Sequence, residues 1–168
     1  VRALTRGDGV SGDDVSDNIR TIKSIPLELY GQNIPSRFEI RGEVIFPHKA
    51  FEEFNLKRIE SGEEPFANPR NAASGSIKLL DTKEVAQRKL DCFLYYIIGD
   101  GIKENLHYNR LQQARTWNFN VPKFVAIAQG VEEIMEFINY WDKERSNLPF
   151  DIDGIVIKLN DTNQWEKL

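Results

Sequence analysis

Two kinds of hydrophobic spacing occur in this chain, and their mixture limits the folds that it can adopt. Residues 37–46 alternate polar and apolar side chains, as a strand with one buried face does. Residues 90–98 are rich in the aromatic and branched side chains that strands favour. Residues 106–117 follow helical spacing instead, and so does a later set of apolar residues: Ile134, Phe137, Ile138 and Trp141. This mixture predicts an α+β fold of mainly antiparallel sheets flanked by helices.

Local signals predict further elements. Residues 15–22 and 48–61 have helical patterns. Asn68 followed by Pro69 is typical of the first residues of a helix, because asparagine caps the free amides and proline suits the first turn. Residues 152–159 predict another strand.

Composition narrows the class of protein. A chain of 168 residues with 40% hydrophobic and 29% charged residues suits one soluble domain. Its longest apolar run, residues 92–98, is too short to span a bilayer, so we expect no membrane association. Cys92, the only cysteine, cannot form an internal disulfide or a cysteine-rich zinc site. A buried, reduced thiol is expected there, which agrees with a cytoplasmic protein.

The charge is unevenly distributed along the chain. The net charge of −4 argues against a dedicated DNA-binding domain, which is usually basic. Residues 68–89, however, carry five basic and only two acidic residues. A locally basic surface on an acidic protein can still bind phosphates.

Three glycines near the beginning have the spacing of a dinucleotide-binding loop: Gly7, Gly9 and Gly12. Such a loop places a pyrophosphate at a helix N-terminus. Here that end would be crowded by three acidic residues: Asp13, Asp14 and Asp17. We therefore reject a dinucleotide fold. The segment is interpreted either as a plain glycine turn or as a turn that presents Arg6 to an anion.

Polar residues on the strand at 37–46 suggest a second site. A period of two places Glu39, Arg41 and Glu43 on one face. An exposed sheet face with a cross-paired arginine explains this pattern, and so does a polar pocket lined by the sheet. Gly42 favours the pocket slightly, since a strand glycine often marks close approach of a ligand or of another backbone.

Two other segments combine basic residues with small ones. Arg70 and Lys78 are eight residues apart, so one continuous helix would place them on nearly the same face, with small residues between them. This face either approaches a phosphate backbone or is merely solvated. In residues 150–158, Asp151 and Asp153 begin a strand-like run that ends at Lys158. That lysine either extends to solvent or contacts an anion.

Four stretches occur in this order: TRGDGVSGDDVSDNIRTI, RFEIRGEVIFP, FANPRNAASGS and FDIDGIVIK. Together they make the chain resemble the NAD-dependent DNA ligases of bacteria along essentially its whole length. The resemblance implies that residues 1–168 are part of an adenylation (nucleotidyltransferase) domain, with the fold that DNA ligases share with mRNA capping enzymes. It also implies an enzyme of DNA replication and repair that seals nicks between 5′-phosphate and 3′-hydroxyl ends. NAD would donate the AMP, through lysyl-AMP and adenylated-DNA intermediates.

The resemblance implies roles for particular residues. Glu43, Asp153 and Lys158 match catalytic positions of the family. Glu43 would engage the AMP ribose and help to hold Mg²⁺, and Lys158 would lie at the adenylyl phosphate. A carboxylate can hold Mg²⁺, and cations offset the charge of the phosphate oxygens.

Residues that bind the nucleotide or DNA are also implied. Arg6 matches a position at the nucleotide, Arg145 matches an arginine near the nucleotide or DNA, and Asp8 is expected to support the loop that carries Arg6. Arg70 matches a position that engages the phosphate of the nick or of the nucleotide, and Lys78 matches a position that contacts nicked duplex DNA. Lys78 stands where many relatives carry arginine, so it keeps the charge but not the bidentate geometry.

The chain departs from the family pattern in one important respect. No K-x-D-G motif, which carries the lysine nucleophile, occurs in residues 1–168. We expect that lysine upstream, a last catalytic-lysine strand downstream, and a separate N-terminal segment for the nicotinamide mononucleotide half. Any Zn²⁺ would belong to another module of the parent enzyme. The fragment alone is therefore expected to be inactive, and both it and the parent are expected to be monomeric.

Two alternatives are weighed against this hypothesis. One is an ATP-using ligase or capping-type transferase, which the FANPRNAASGS stretch disfavours because it resembles the NAD-dependent group. The other is a non-catalytic nucleic-acid-binding module, which would bind DNA in a salt-sensitive way and have no adenylate pocket.

Overall fold

The computed structural model describes residues 2–167, with the side chains of residues 166 and 167 excepted. Its elements in chain order are α1 (Ser16–Ile19), β1 (Glu39–Ile45), α2 (His48–Glu60), α3 (Pro69–Ser76), α4 (Thr82–Gln87), β2 (Asp91–Ile98), α5 (His107–Thr116) and α6 (Val131–Glu144), with 3₁₀ turns at Arg145–Asn147 and Thr162–Lys167. The strands β1 and β2 pair as a two-stranded antiparallel sheet. The prediction of mixed helices and antiparallel strands is confirmed.

The chain forms two compact units. The first unit contains Val1–Leu27, Val44–Cys92 and Pro149–Asp151. The second unit contains Glu28–Glu43, Phe93–Leu148 and Ile152–Leu168.

Aromatic rings form the core of the first unit beside α2. Phe46 is 2% exposed and packs against Phe51 and Phe54, with ring centroids 5.3 and 5.6 Å away. Phe66 stacks on Phe54 at 5.9 Å. Asn55 on α2 fixes the backbone of Phe66 by accepting its N–H and donating to its carbonyl, each at 2.9 Å. The helix predicted at residues 48–61 is confirmed because its apolar positions cover this cluster.

The helix predicted at Asn68 is also confirmed, but it is short. The Asn68 side-chain oxygen accepts the N–H groups of Arg70 and Asn71 at 2.8 and 3.1 Å, as an N-cap does. The helix α3 ends at Ser76, so Lys78 lies beyond it. The expectation that Arg70 and Lys78 share one helix face is therefore wrong.

A buried asparagine explains where α3 ends. Asn18, only 7% exposed, donates its amide to the carbonyls of Ile77 and Leu79 at 2.9 and 2.7 Å. A helix continuing through Lys78 would use these carbonyls internally. Asn18 lies on α1, which spans four residues rather than the eight predicted at 15–22. The side chain of this one residue thus fixes the turn that follows α3.

The core of the second unit lies around α5. Its buried members are Ile97, Ile102, Leu111, Ala114, Trp117 and Val121. Trp117 is fully buried and donates its indole N–H to the carbonyl of Gln32 at 3.0 Å, so its polar group is satisfied. Phe38 packs against Trp117 with ring centroids 5.5 Å apart. The helix α5 and the strand β2 were both predicted and are confirmed.

The amphipathic helix predicted from Ile134 onward is confirmed as α6. Its apolar stripe is half-buried, and none of its residues is fully buried. Trp141 contacts Phe124 with ring centroids 5.6 Å apart, and Phe124 contacts Phe93 at 5.7 Å. These edge-to-face contacts attach one side of α6 to the second unit.

The strand predicted at residues 152–159 is wrong. The backbone there is assigned to neither a helix nor a strand. Val156 and Ile157 are 79% and 61% exposed, so the apolar run is not covered by the residues that the structure describes. A strand needs a neighbour to accept and donate its backbone hydrogen bonds, and an apolar pattern alone does not supply one.

Residues 159–165 are instead fixed on the start of α5. Leu106 occupies the N-cap position of α5 but has no side chain that can accept a hydrogen bond. Asn160 supplies the missing acceptors. Its backbone carbonyl accepts the N–H of His107 at 2.7 Å, and its side-chain oxygen accepts the N–H of Tyr108 at 2.9 Å. The free amides of the first turn are thus satisfied by a residue more than fifty positions away.

His107 lies in an aromatic environment. Its ring contacts the rings of Trp165 and Tyr96, with centroids 5.3 and 6.1 Å away. Burial, together with the positive charges of Lys158 and Arg110, lowers the pKa of His107 to about 4. The imidazole is therefore neutral in the folded protein at pH 7.

Two other expectations concern single features. Cys92 is 3% exposed, as predicted for a buried thiol. Within residues 2–167, no helix combines the length and apolar character needed to cross a bilayer.

Replacing the α3 cap tests its contribution to stability. We expect Asn68→Ala to lower the free energy of unfolding by about 1 kcal/mol, because two backbone N–H groups lose their acceptor. Urea unfolding monitored by circular dichroism measures the change. Asn68→Asp retains an acceptor and serves as the control, and an equal loss in both variants would contradict the capping role.

Titration of His107 should make stability depend on pH. Its pKa is lowered on folding from about 6.5, so the unfolded chain takes up the proton first. The contribution of neutral His107 to the free energy of unfolding is therefore complete above about pH 6.5 and decreases as the pH falls toward 4. We expect His107→Gln to flatten the decline in unfolding free energy between pH 6.5 and 4.5, above the usual range of carboxylates. His48→Gln is the control, and an unchanged slope in His107→Gln would refute the assignment.

Candidate active site

Lys158 lies over the aromatic rings of β2. Its ammonium nitrogen is 4.7 Å from the centroid of the Tyr96 ring and 5.6 Å from that of Tyr95. The guanidinium carbon of Arg41, on β1, lies 5.2 Å from the Tyr96 centroid. Cations are attracted to the electron-rich face of such rings. One tyrosine therefore contacts two cations that come from separate parts of the chain.

The two cations affect each other. Partial burial lowers the pKa of Lys158, and the positive charge of Arg41 lowers it further. The hydrogen bond that Arg41 donates to the carboxylate of Glu39 raises the pKa of Arg41. Lys158 is thus held where its positive charge is disfavoured, and an incoming anion such as a phosphate would relieve that penalty. Of the two interpretations of Lys158, this geometry favours contact with an anion.

Glu43 lies on the predicted polar face of β1. Glu39, Arg41 and Glu43 are all exposed, and Arg41 forms an ion pair with Glu39. The neighbouring Gly42 has a different explanation from a ligand: a Cβ atom there would lie 2.3 Å from the carbonyl oxygen of Phe93. Close approach of β2 therefore requires this glycine, and Gly42 no longer counts as evidence for a pocket.

The paired aspartates near the end of the chain have different surroundings. Asp151 belongs to the first unit, where its carboxylate lies 2.9 Å from the imidazole Nε2 of His48. Asp153 is exposed and belongs to the second unit.

The loop that carries Arg6 is a tight glycine turn. Gly7 and Gly9 adopt positive φ values of 53° and 93°, and a Cβ on Gly7 would lie 1.7 Å from the carbonyl oxygen of Ser11. The carboxylate of Asp8 accepts the backbone N–H groups of Val10 and Ser11 at 2.9 and 2.7 Å. These hydrogen bonds lower the pKa of Asp8.

The expected support of this loop by Asp8 is confirmed. Arg6 is exposed beside the turn. Both interpretations of the glycine segment therefore remain compatible with its geometry, because the turn is tight and it leaves Arg6 accessible.

The remaining basic residues are exposed in separate places. Arg70 lies in the first turn of α3. Lys78 forms an ion pair with Asp13 at 2.8 Å. Arg145 lies just after α6 and is 3.7 Å from Asp142.

The site residues divide between the two units. Arg6, Arg70 and Lys78 belong to the first unit. Those of the second unit are Glu43, Asp153, Lys158 and Arg145. In the part of the chain that the structure describes, no group of three acidic, histidine or cysteine side chains could hold a metal ion.

Tyr96 and Trp165 were missed by sequence reasoning. Tyr96 was counted only as a strand residue, and its stacking on Trp165, with centroids 5.2 Å apart, joins positions far apart in the sequence. The consecutive tyrosines 95 and 96 were the available signal, since tyrosine faces often bind cations.

Comparison with known proteins gives the family. The sequence profile of the family described as "NAD-dependent DNA ligase adenylation domain" matches residues 1–168. Similar proteins include the DNA ligases of Azobacteroides pseudotrichonymphae (52% identical over 168 residues), Flavobacterium psychrophilum (51% over 168) and Bacteroides fragilis (52% over 169). Each alignment covers 100% of this chain.

The chain spans 25% of the length of each of these relatives. The matching profile is that of the NAD-dependent group, as the FANPRNAASGS stretch suggested, and not that of an ATP-using transferase. The chain belongs to the NAD-dependent DNA ligase adenylation domain family.

Proposed function

We propose that this chain is part of the adenylation domain of an enzyme that seals nicks in duplex DNA with NAD as the AMP donor. The main support is the placement of Lys158 and Arg41 on the ring of Tyr96. Two cations held together in this way form a binding position for an anion, and the adenylyl phosphate is the anion that the family supplies. We further propose the nucleotidyltransferase fold of ligases and capping enzymes for the complete domain.

The attacking group is proposed to lie outside these residues. The family uses a lysine in a K-x-D-G motif, and residues 1–168 contain none. We propose that the parent protein carries this lysine before Val1, and that a further catalytic strand follows Leu168. Phosphoryl transfer depends mostly on positioning and on stabilisation of charge, which are tasks that the residues of this chain can perform.

Lys158 is proposed to stabilise the charge of the phosphate during transfer. Its lowered pKa reflects partial burial and repulsion by Arg41, and negative charge on nearby oxygens would offset both effects. Asp153 is proposed as a second catalytic residue.

Glu43 is proposed to hold the AMP ribose and to contribute a ligand to Mg²⁺. Since Mg²⁺ is usually held by one or two carboxylates together with phosphates and waters, the lack of a larger acidic cluster among the described residues is compatible with this role. When bound, the metal would neutralise part of the phosphate charge.

The exposed cations are proposed to bind phosphates of the nucleotide and of nicked DNA. Arg6 and Arg145 are assigned to the nucleotide, and Arg70 and Lys78 to DNA. The support is their exposure and the basic segment at residues 68–89. The parent enzyme is proposed to be a cytoplasmic monomer.

Lys158 provides the central test. In the full-length protein, we expect Lys158→Ala to slow self-adenylation by about 10²–10³-fold, because one preorganised charge is lost. Transfer of label from NAD carrying radioactive adenylate measures the rate. Lys103→Ala, which removes another exposed lysine of the second unit, is the control and should retain full activity. Equal rates for the two variants would refute the site.

The 168-residue chain alone should not become adenylated. Without a K-x-D-G lysine, we expect no covalent AMP after incubation with NAD and Mg²⁺, as measured by intact-mass spectrometry. A mass increase of one adenylyl group on any residue would refute the proposed location of the nucleophile. The full-length protein under the same conditions is the positive control.

Arg70 separates the DNA step from the nucleotide step. We expect Arg70→Ala in the full-length protein to weaken nick sealing while self-adenylation continues, because Arg70 is assigned to DNA. Sealing of a labelled nicked duplex at subsaturating DNA and several salt concentrations measures the effect, which should be largest at low salt because the variant releases fewer counterions on binding. Lys23→Ala, which removes an exposed lysine of the first unit outside residues 68–89, is the control for loss of one exposed cation. Unchanged sealing would remove Arg70 from the site.

A further inference from the structure

Lys158 is positioned without the help of a strand. Val156 and Ile157 just before it are exposed, and residues 152–157 pair with no strand in the part of the chain that the structure describes. Its side chain nevertheless lies at a defined place, 4.7 Å from the centroid of Tyr96. Something other than sheet pairing must therefore fix the backbone at this point.

The residues that follow Lys158 provide that anchor. The N–H and hydroxyl of Thr162 donate to the carbonyl of Asn105 at 2.8 and 3.0 Å. Asn160 caps the first turn of α5 with both its carbonyl and its side chain. A bridge between Leu106 and Asp161 adds a further backbone link. Residues 159–165, which we name the latch, are thus attached to the start of α5 at several points.

Trp165 connects the latch to Lys158 from two sides. Its ring stacks on Tyr96 with an interplanar angle of 18° and centroids 5.2 Å apart. Its indole N–H donates to the carbonyl of Leu159 at 2.8 Å. One side chain therefore supports the ring that Lys158 contacts and also holds the backbone next to Lys158.

We propose that the latch positions Lys158, with Trp165 and Asn160 as positioning residues that act through Tyr96 and the backbone of Leu159. This inference rests on the proposed function only in assigning Lys158 a role in adenylate transfer. The placement of the Lys158 side chain can be measured separately from that role.

Magnetic resonance of methylated lysines measures the placement. Reductive methylation with ¹³C keeps the positive charge, and a lysine over an aromatic face resonates upfield of solvated lysines. In the full-length protein, we expect an upfield signal that disappears in Lys158→Arg, which assigns it. Trp165→Leu should move this signal to the position of the solvated lysines. Trp141→Leu removes another half-buried indole of the second unit and should leave the signal unchanged.

A second, milder pair of variants tests the proposal even if Trp165→Leu does not fold. Asn160→Ala removes one side-chain acceptor from the N–H of Tyr108 and should shift the Lys158 signal part of the way. Asn160→Asp retains an acceptor and should restore the signal. An unchanged Lys158 signal in both Trp165→Leu and Asn160→Ala would overturn the proposal, even if activity changed.

Kinetics then separates this proposal from the proposed function. If both hold, Trp165→Leu should slow self-adenylation on the order of 10²-fold, as small misplacements of a catalytic group do, with little change in the KM for NAD. Trp165→Phe retains a stacking ring and should recover part of the rate. A displaced Lys158 signal with an unchanged rate would support the latch and refute the catalytic role of Lys158. A slower rate without displacement would refute the latch.

Discussion

The need to satisfy backbone polar groups shapes much of this structure, and asparagine side chains meet that need repeatedly. Asn68 caps α3 locally, and Asn55 binds both the N–H and the carbonyl of Phe66. Asn18 and Asn160 act over much longer sequence distances, at the end of α3 and at the start of α5. A side-chain amide both donates and accepts hydrogen bonds. One asparagine can therefore satisfy backbone groups at a turn where neither a helix nor a sheet supplies their partners.

The candidate site has a different basis, which is the balance of charge over an aromatic surface. Lys158 and Arg41 lie against one tyrosine, and the positive charge of Arg41 makes that of Lys158 less favourable. The attraction of the ring and the ion pair with Glu39 hold the arrangement together. If the proposed anion site is correct, its cations are already in place before the anion arrives, which would reduce the reorganisation that transfer of a phosphate group requires.

Elements with strong local signals were predictable from the sequence. The cap at Asn68, the alternation around Glu43 and the helical spacing of α6 each depend on neighbouring residues, and the structure confirms all three. The site residues could be named from a family resemblance, because motifs preserve chemistry. Their packing could not, since the contact between Tyr96 and Trp165 joins positions that no local pattern relates.

The failures have equally physical causes. Residues 152–159 have the composition of a strand, but a strand also requires a partner with free backbone groups. The helix carrying Arg70 was extended too far because the periodicity gave no sign of Asn18, which binds the carbonyls beyond Ser76. In both cases the deciding interaction comes from a distant residue.

The ion pair between Lys78 and Asp13 has a further consequence for the basic segment. A phosphate that approaches Lys78 meets a cation that already has an anionic partner. It would have to replace Asp13, so the free energy gained on binding is only the difference between the two ion pairs. The backbone of Asp13 is tied to Thr5, next to Arg6, by hydrogen bonds of 2.9 and 3.0 Å. The carboxylate that pairs with Lys78 therefore belongs to a residue whose backbone is fixed beside Arg6, so the basic segment and the glycine turn share one anionic side chain.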